Sequence, residues 1–415
     1  MAKHFGQRGV NMYIKRAIEE VFLKTQSEYP VTLLTGPRQV GKTTMLKKLM
    51  EGSNRRYVSL DEFDARMLAK DPAAFFQIHK PPILIDEVQY APELFSYIKV
   101  IVDQNKTKGD FWLTGSQAYK LMQGVTESLA GRIAIMQLQS LSQAEMYGYP
   151  NQPFEIDIQK LEDRKAQKME IPKVYENIFN GGMPDVVIKS ITNIQGFYRN
   201  YISSYIERDV KYIASEIDGL KYYDFIKAVA ARISQQINVA DLSRDVGINE
   251  VTAKRWLGIL ETLGVIFFLH PYSNNVLKRA LKKPKLYFYD TALAVHITGW
   301  SSPEITMNSP MNGAYFENYV ISEIYKSYFN DGMVPTLYYY RDKEGQEIDL
   351  ILEKDGVLHP IEIKKAALAT KSMIQNFDVL KAVYPYTIGK GAVICNAQNL
   401  SALNENVLIV PVAKI

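Results

Sequence analysis

The run Gly36-Pro37-Arg38-Gln39-Val40-Gly41-Lys42-Thr43 constrains this chain more than any other stretch. It follows the apolar run Val31-Thr32-Leu33-Leu34-Thr35 and precedes Thr44-Met45-Leu46-Lys47-Lys48-Leu49, which has helical spacing. Strand, glycine-bounded loop, Lys-Thr and helix is the arrangement of a phosphate-binding P-loop. Glycine at 36 and 41 lets the backbone curl its N–H groups inward around phosphate oxygens. The helix that follows turns its positive end toward the same anion. Lys42 is positioned to reach the β- and γ-phosphates, and Thr43 to offer its hydroxyl to Mg²⁺. Gly36 through Thr44 therefore form the candidate binding set for ATP with Mg²⁺.

A second motif agrees with the first. Ile83-Leu84-Ile85-Asp86-Glu87 reads as a short buried strand ending in two acids, after the breaker Pro81-Pro82. Asp86 is expected to hold the Mg²⁺ and Glu87 to orient and deprotonate the attacking water. The next apolar run, Phe111-Trp112-Leu113-Thr114, ends in Gly115-Ser116-Gln117. Ser116 or Gln117 is a candidate sensor of the γ-phosphate; an ordinary turn is the equal alternative. Arg132, just before the strand pattern Ile133-Ala134-Ile135-Met136, is either an arginine finger for a neighbouring subunit's nucleotide or a plain surface arginine.

At 415 residues the chain is too long for one ordinary core, so two to four domains are expected. Its apolar runs fall well short of a bilayer span, and Met1-Ala2-Lys3-His4-Phe5-Gly6 lacks the apolar centre of a signal peptide. A single cysteine, Cys395, excludes an intrachain disulfide, fits a reducing compartment and sits in a buried-strand pattern. A cytoplasmic protein without a membrane partner is expected. The net charge of +4 says little about nucleic acid by itself.

Strand candidates Val31–Thr35, Arg56–Leu60, Ile83–Asp86, Phe111–Thr114 and Ile133–Leu138 alternate with helical stretches, which predicts an α/β domain built on a mainly parallel sheet over residues 1–149. Residues 150–218 turn helical, broken by Asn180-Gly181-Gly182-Met183-Pro184, and read as a lid or linker packing near the nucleotide. In this stretch Arg208, flanked by Glu207 and Asp209, reads either as reaching a phosphate or partner subunit or as part of a solvated charged face. Residues 219–300 look like a winged helix. Helices are expected around Val239 and Val251, with Val251, Leu257, Leu260 and Leu263 facing inward and Lys254 and Arg255 outward. A basic hairpin with Lys278, Arg279, Lys282, Lys283 and Lys285 follows, suited either to a DNA backbone or to protein contact.

Residues 301–415 carry a second acidic constellation. Glu317 lies in a long amphipathic helical stretch, Glu347-Ile348-Asp349-Leu350 is a strand, Asp355-Gly356 a hairpin turn, and Ile361-Glu362-Ile363-Lys364 the returning strand. In that strand Glu362 and Lys364 share a face, and Asp349 converges on them from its partner. Two such carboxylates can hold Mg²⁺ or Mn²⁺, with Lys364 beside a water aimed at a phosphodiester.

This last pattern resembles the PD-(D/E)XK nuclease core, with Asp349, then Glu362-Ile363-Lys364, and Glu317 from the preceding helix. The order of strands around the P-loop resembles the additional-strand ATPases, including the AAA+ group. Taken with Gly181-Gly182-Met183-Pro184, Glu207-Arg208-Asp209-Val210 and Tyr287-Phe288-Tyr289-Asp290, the chain resembles a bacterial and archaeal family of AAA-type ATPases. Their C-terminal domain, of unknown function, is similar to restriction-endonuclease folds. The resemblance implies ATP binding and hydrolysis with Lys42, Asp86 and Glu87 in the named roles. The leading expectation from the residues couples nucleotide state to DNA binding or to metal-dependent cleavage at Asp349, Glu362, Lys364 and Glu317, with a homo-oligomer as a further expectation. A nucleotide-dependent switch with an inactive nuclease-like domain is the alternative.

Overall fold

Parallel strands buried on both faces are largely apolar; three such runs, flanked by two partly exposed ones, build the first sheet. They are β1 (Val31–Thr35), β2 (Arg56–Ser59), β3 (Ile83–Asp86), β4 (Phe111–Gly115) and β5 (Ile133–Gln137), in the order β2-β3-β4-β1-β5. Every pairing is parallel. This is a computed structural model, and it describes residues 13–115, 128–205, 219–273, 282–383 and 387–415. Alternation sorts the side chains: Val31, Leu33, Ile83, Ile85, Phe111 and Leu113 enter one core, while Leu34, Leu84 and Trp112 enter the other. β4 separates the P-loop strand from the acidic strand, so Asp86 ends a strand two places from the loop. The parallel α/β sheet expected from the sequence is therefore present.

Residues Ile171–Asn180 and Ile194–Tyr205 are helices joined across the Gly181-Gly182-Met183-Pro184 break. Three further helices follow, Gly219–Ala230, Val239–Val246 and Glu250–Thr262. The second and third begin at asparagines whose side chains accept from Ala240 N and Thr252 N, and Gly247 stops the second in a left-handed conformation. They lead into the antiparallel pair β6 (Ile266–Leu269) and β7 (Lys285–Phe288). Leu257, Leu260 and Leu263 are buried as expected, but Val251 is 78% exposed. It lies in the helix's first turn, ahead of the residues that meet the core.

The C-terminal sheet is mixed. β8 (Thr336–Arg341), β9 (Glu347–Lys354) and β10 (Val357–Lys364) form an antiparallel meander, β11 (Gly391–Cys395) and β13 (Val407–Pro411) add in parallel, and β12 (Ser401–Asn404) closes the edge. The long helix Asn312–Phe329 covers it. Asp355 and Gly356 both take positive φ, 51° and 76°, as a two-residue hairpin turn requires.

The parts share one apolar core. It runs from Val40 and Met45 behind the P-loop, through Tyr198 and Trp256, to Tyr315, Ile361 and the terminal Ile415. Polar ties follow the same route: Gln143 N donates to Glu323 Oε2 at 2.6 Å, and Gln143 Nε2 to Ala413 O at 2.9 Å. Among the described residues no helix is long and apolar enough to cross a membrane.

Candidate functional site

The loop after β1 has the backbone that its glycines permit. Gly36 takes φ 140° and Gly41, the N-cap of the helix Lys42–Met50, takes φ 92°. A Cβ at position 36 would stand 2.1 Å from Leu138 O. Gln39 also takes positive φ, 61°, so the loop is bent by three residues in this region. Lys42 is buried and its Nζ donates to Gly36 O at 2.8 Å and Pro37 O at 2.7 Å. The ammonium thus lies across the mouth of the loop. Arg38 is half-buried, Gln39 exposed, and Thr44 is exposed on the helix's first turn.

Thr43 Oγ1 stands 3.0 Å from Asp86 Oδ1 and 3.1 Å from Oδ2. Tyr57, on the neighbouring β2, donates its hydroxyl to Asp86 Oδ2 at 3.1 Å. Burial pushes the Asp86 carboxyl above its usual value, the Thr43 hydrogen bond opposes that, and the charge of Glu87 adds to it. A hydroxyl and a carboxylate side by side are hard oxygen donors, and they fit Mg²⁺. Glu87 follows in a left-handed conformation, φ 54° and ψ 44°, and accepts from Gln89 Nε2. Tyr57 and Gln89 carry no sequence signal of their own. Their roles come from strand register and from the one turn of 3₁₀ helix after Glu87.

A cleft of about 270 Å³ adjoins the loop, lined by Val40, Gly41 and Thr44 on one side and by Tyr13, Ile14, Pro184 and Ile188 on the other. The Gly181–Pro184 break is held in place there: Gly182 N donates to Asp290 Oδ2 at 3.1 Å, and Leu141 N to Gly182 O at 2.7 Å. Arg16 ties the same region together from beneath, donating to Glu145 Oε1 at 2.9 Å, Val40 O at 2.8 Å and Gln139 O at 2.8 Å. A larger cleft of about 830 Å³, lined by Lys15, Tyr147, Tyr149 and Asn330 among others, contains none of the P-loop residues.

One candidate does not join this site. Arg132 precedes β5, at the end of the strands opposite the loop, and forms a two-pronged pair with Asp103, at 2.6 and 3.0 Å. Ser116 and Gln117, Arg208, and Lys278 and Arg279 lie outside the described residues.

The four acidic and basic residues expected in the C-terminal domain do come together. Lys364 Nζ lies 2.7 Å from Asp349 Oδ2 and 2.6 Å from Glu362 Oε2. Ile363 N also donates to Asp349 Oδ2 at 2.9 Å. The hairpin register, Leu350 opposite Ile361, brings Asp349 opposite Glu362 one step further on. Glu317 approaches from its helix and accepts from Tyr287 Oη at 2.6 Å and Lys285 Nζ at 3.1 Å. Burial, with Asp349 alongside, pushes the Glu362 carboxyl up to about 9. Burial also works against the Asp349 charge, but the ammoniums of Lys364 and Lys285 outweigh it and hold that carboxyl below its usual value.

The Lys364 ammonium bridges Asp349 and Glu362. Among the described residues no group of three or more His, Cys, Asp or Glu side chains is disposed to hold a metal. One expectation needs correction here. Lys285 is not part of a DNA-facing basic hairpin: it is 3% exposed and paired with Glu317 and Glu347. Lys254, Arg255, Lys282, Lys283 and Lys365 are exposed as expected.

Three family models match segments of the chain. Residues 28–147 match a family model described as "AAA domain". Residues 171–304 and 312–415 match two domains of unknown function, DUF8612 and DUF4143. The uncharacterized proteins Rv2008c of Mycobacterium tuberculosis and Mb2031c of Mycobacterium bovis are each 26% identical over 389 residues, spanning 93% of this chain and 81% of theirs. Among solved structures, the Walker-type ATPase PABY2304 of Pyrococcus abyssi is similar at 17% identity and a TM-score of 0.42, over 69% of this chain and 96% of that one. The P-loop on its parallel sheet, together with the match over residues 28–147, supports an AAA-type ATPase domain in the first part of the chain.

Proposed function

We propose that this protein binds and hydrolyses ATP and passes its nucleotide state to the remainder of the chain, which contacts DNA. The observation that carries the ATPase reading is the pairing of Thr43 with the buried Asp86 beside a glycine-bent loop closed by Lys42. In this reading Lys42 leaves the Gly36 and Pro37 carbonyls for the β- and γ-phosphates, while loop N–H groups grip the same oxygens. The base enters the cleft between Tyr13, Ile14 and Pro184. Thr43 and Asp86 would hold Mg²⁺, which neutralises charge developing on the phosphoryl oxygens. Glu87 takes the proton of the attacking water. Ser116 remains the proposed γ-phosphate sensor, and Arg132 a finger only in trans, after release from Asp103.

Support for the coupling comes from the back of the loop. A Cβ at Gly264 would lie 3.3 Å from the Pro37 ring, so the P-loop packs directly against the turn that opens β6. Movement of the loop on nucleotide binding is thereby delivered to the β6–β7 pair. Exposed Lys254, Arg255, Lys282 and Lys283 supply the cationic surface for phosphate contact in the winged-helix reading of residues 219–300.

For the C-terminal domain the order Glu317, Asp349, Glu362-Ile363-Lys364 supports a nuclease-like layout. Its lysine-bridged carboxylates favour the second reading, a switch whose nuclease-like domain binds without cutting. Lys42→Ala is expected to abolish ATP turnover; a correctly folded variant working at the wild-type rate would mean the site is misassigned. Turnover measured with and without DNA tests the coupling. No change in rate, together with salt-insensitive or absent DNA binding, would remove DNA from the account. Plasmid nicking lost in Asp349→Ala would restore cleavage.

A further inference from the structure

We propose that Lys285 is the resident cation of the C-terminal carboxylate cluster and keeps divalent metal out of it. The proposal rests on the nuclease-like layout of that cluster. Lys285 and Tyr287 alternate on β7 and so project from the same face, and both reach Glu317 Oε1, at 3.1 and 2.6 Å. The same ammonium lies 2.5 Å from Glu347 Oε1. Its side chain is 4% exposed, so it cannot turn its head out to water as a surface lysine does. Lys364 repeats the arrangement on Asp349 and Glu362.

Between them the two ammoniums occupy carboxylate oxygens on all four acids. A Mg²⁺ or Mn²⁺ ion needs those oxygens in its own shell and would have to enter beside the buried ammonium of Lys285 and the half-exposed ammonium of Lys364. Lys285 comes from the β6–β7 pair rather than from the C-terminal sheet, which is what makes it a lock between parts. The pair carrying it is tied to Tyr339 of β8 at one end. Tyr272 N donates to Tyr339 O at 2.6 Å, Tyr339 N to His270 O at 3.1 Å, and the Tyr339 hydroxyl to Lys283 O. The far end of β6 meets Pro37 of the P-loop across Gly264. The cluster therefore serves as the anchor of the β6–β7 pair on the C-terminal sheet.

The test is a set of melting curves of the full chain, without nucleotide, in EDTA and in millimolar Mn²⁺. Wild type and Asp349→Asn should respond to Mn²⁺ alike. Lys285→Met frees Glu317 and Glu347 beside Asp349, and Mn²⁺ should raise its melting point by several degrees, an increment that Asp349→Asn removes in the same background. Wild type stabilised by Mn²⁺ through Asp349 would overturn the proposal, and so would a folded Lys285→Met that gains nothing from Mn²⁺. If Lys285→Met does not fold, the wild-type arm still decides. Failure of the ATPase reading would appear separately, as turnover independent of Lys42.

Discussion

Removing Arg16 is the perturbation whose size the geometry fixes best. Its guanidinium is 3% exposed and serves three partners at once: the Glu145 carboxylate at 2.9 Å and the carbonyls of Val40 and Gln139, each at 2.8 Å. Arg16→Ala leaves Glu145 charged and buried, with only its bonds from Ala17 N and Ser142 N, both 2.8 Å. Losing one member of such a pair costs about 3–5 kcal/mol. For 415 residues the unfolding entropy is about 0.9 kcal/mol/K, so the melting point should fall by roughly 3–6 °C if the chain melts in one step. Differential scanning calorimetry measures it. Glu145→Leu should lower stability too, and the double variant should lose less than the sum by about 1–3 kcal/mol. Burial raises the Glu145 carboxyl, but Arg16 and the two N–H donors hold it below its usual value. A depressed carboxyl contributes stability that is complete above its unfolded range and lost as the pH falls through its folded value, so Arg16→Ala should also weaken the acid dependence of melting. A melting point unchanged within a degree, or strictly additive losses, would mean that the Arg16–Glu145 pair does not hold this region together.

Gly36→Ala places a Cβ 2.1 Å from Leu138 O at a φ of 140°, and should both lower the melting point and weaken ATP binding; unaltered affinity by calorimetry would contradict the loop's role. Glu87→Gln should retain ATP binding while turnover drops about 10²–10⁴-fold in a phosphate-release assay, and near-wild-type turnover would exclude it as the base. Burial holds His296 down to about 4, with its ring stacked on Tyr198 at 4.5 Å. Its unfolded value is near 6.5, so stability should fall as the pH drops from that value toward 4. His296→Gln should flatten this limb, and a profile identical to wild type would assign the acid loss elsewhere.

The central strands of the first domain, Val31–Thr35, Ile83–Asp86 and Phe111–Gly115, are legible because each is a short, mainly apolar run closed by a turn or an acid, and a buried parallel sheet leaves no alternative use for such runs. The meeting of Asp349 with Glu362 is legible for a similar reason: Asp355-Gly356 fixes the hairpin register two strands wide. Lys285 escapes this logic. It stands among Lys282 and Lys283, and local composition assigns all three to water; its burial is decided by Glu317 and Glu347 on separate elements. Arg16 and Glu145 are 129 residues apart, a distance over which periodicity carries no information. Val251 shows the opposite limit. Helical spacing puts it on the apolar side, yet a spacing rule cannot say where along the helix the contact begins.

The central claim is that the Gly36–Thr43 loop grips a triphosphate whose metal rests on Thr43 and Asp86. Titration calorimetry with a non-hydrolysable ATP analogue, on wild type, Lys42→Ala and Asp86→Asn, each with Mg²⁺ and with EDTA, tests it most directly. The account predicts binding by wild type that EDTA weakens, loss of binding in Lys42→Ala, and in Asp86→Asn an affinity that no longer depends on Mg²⁺. Equal affinity and equal Mg²⁺ dependence in all three folded proteins would contradict it.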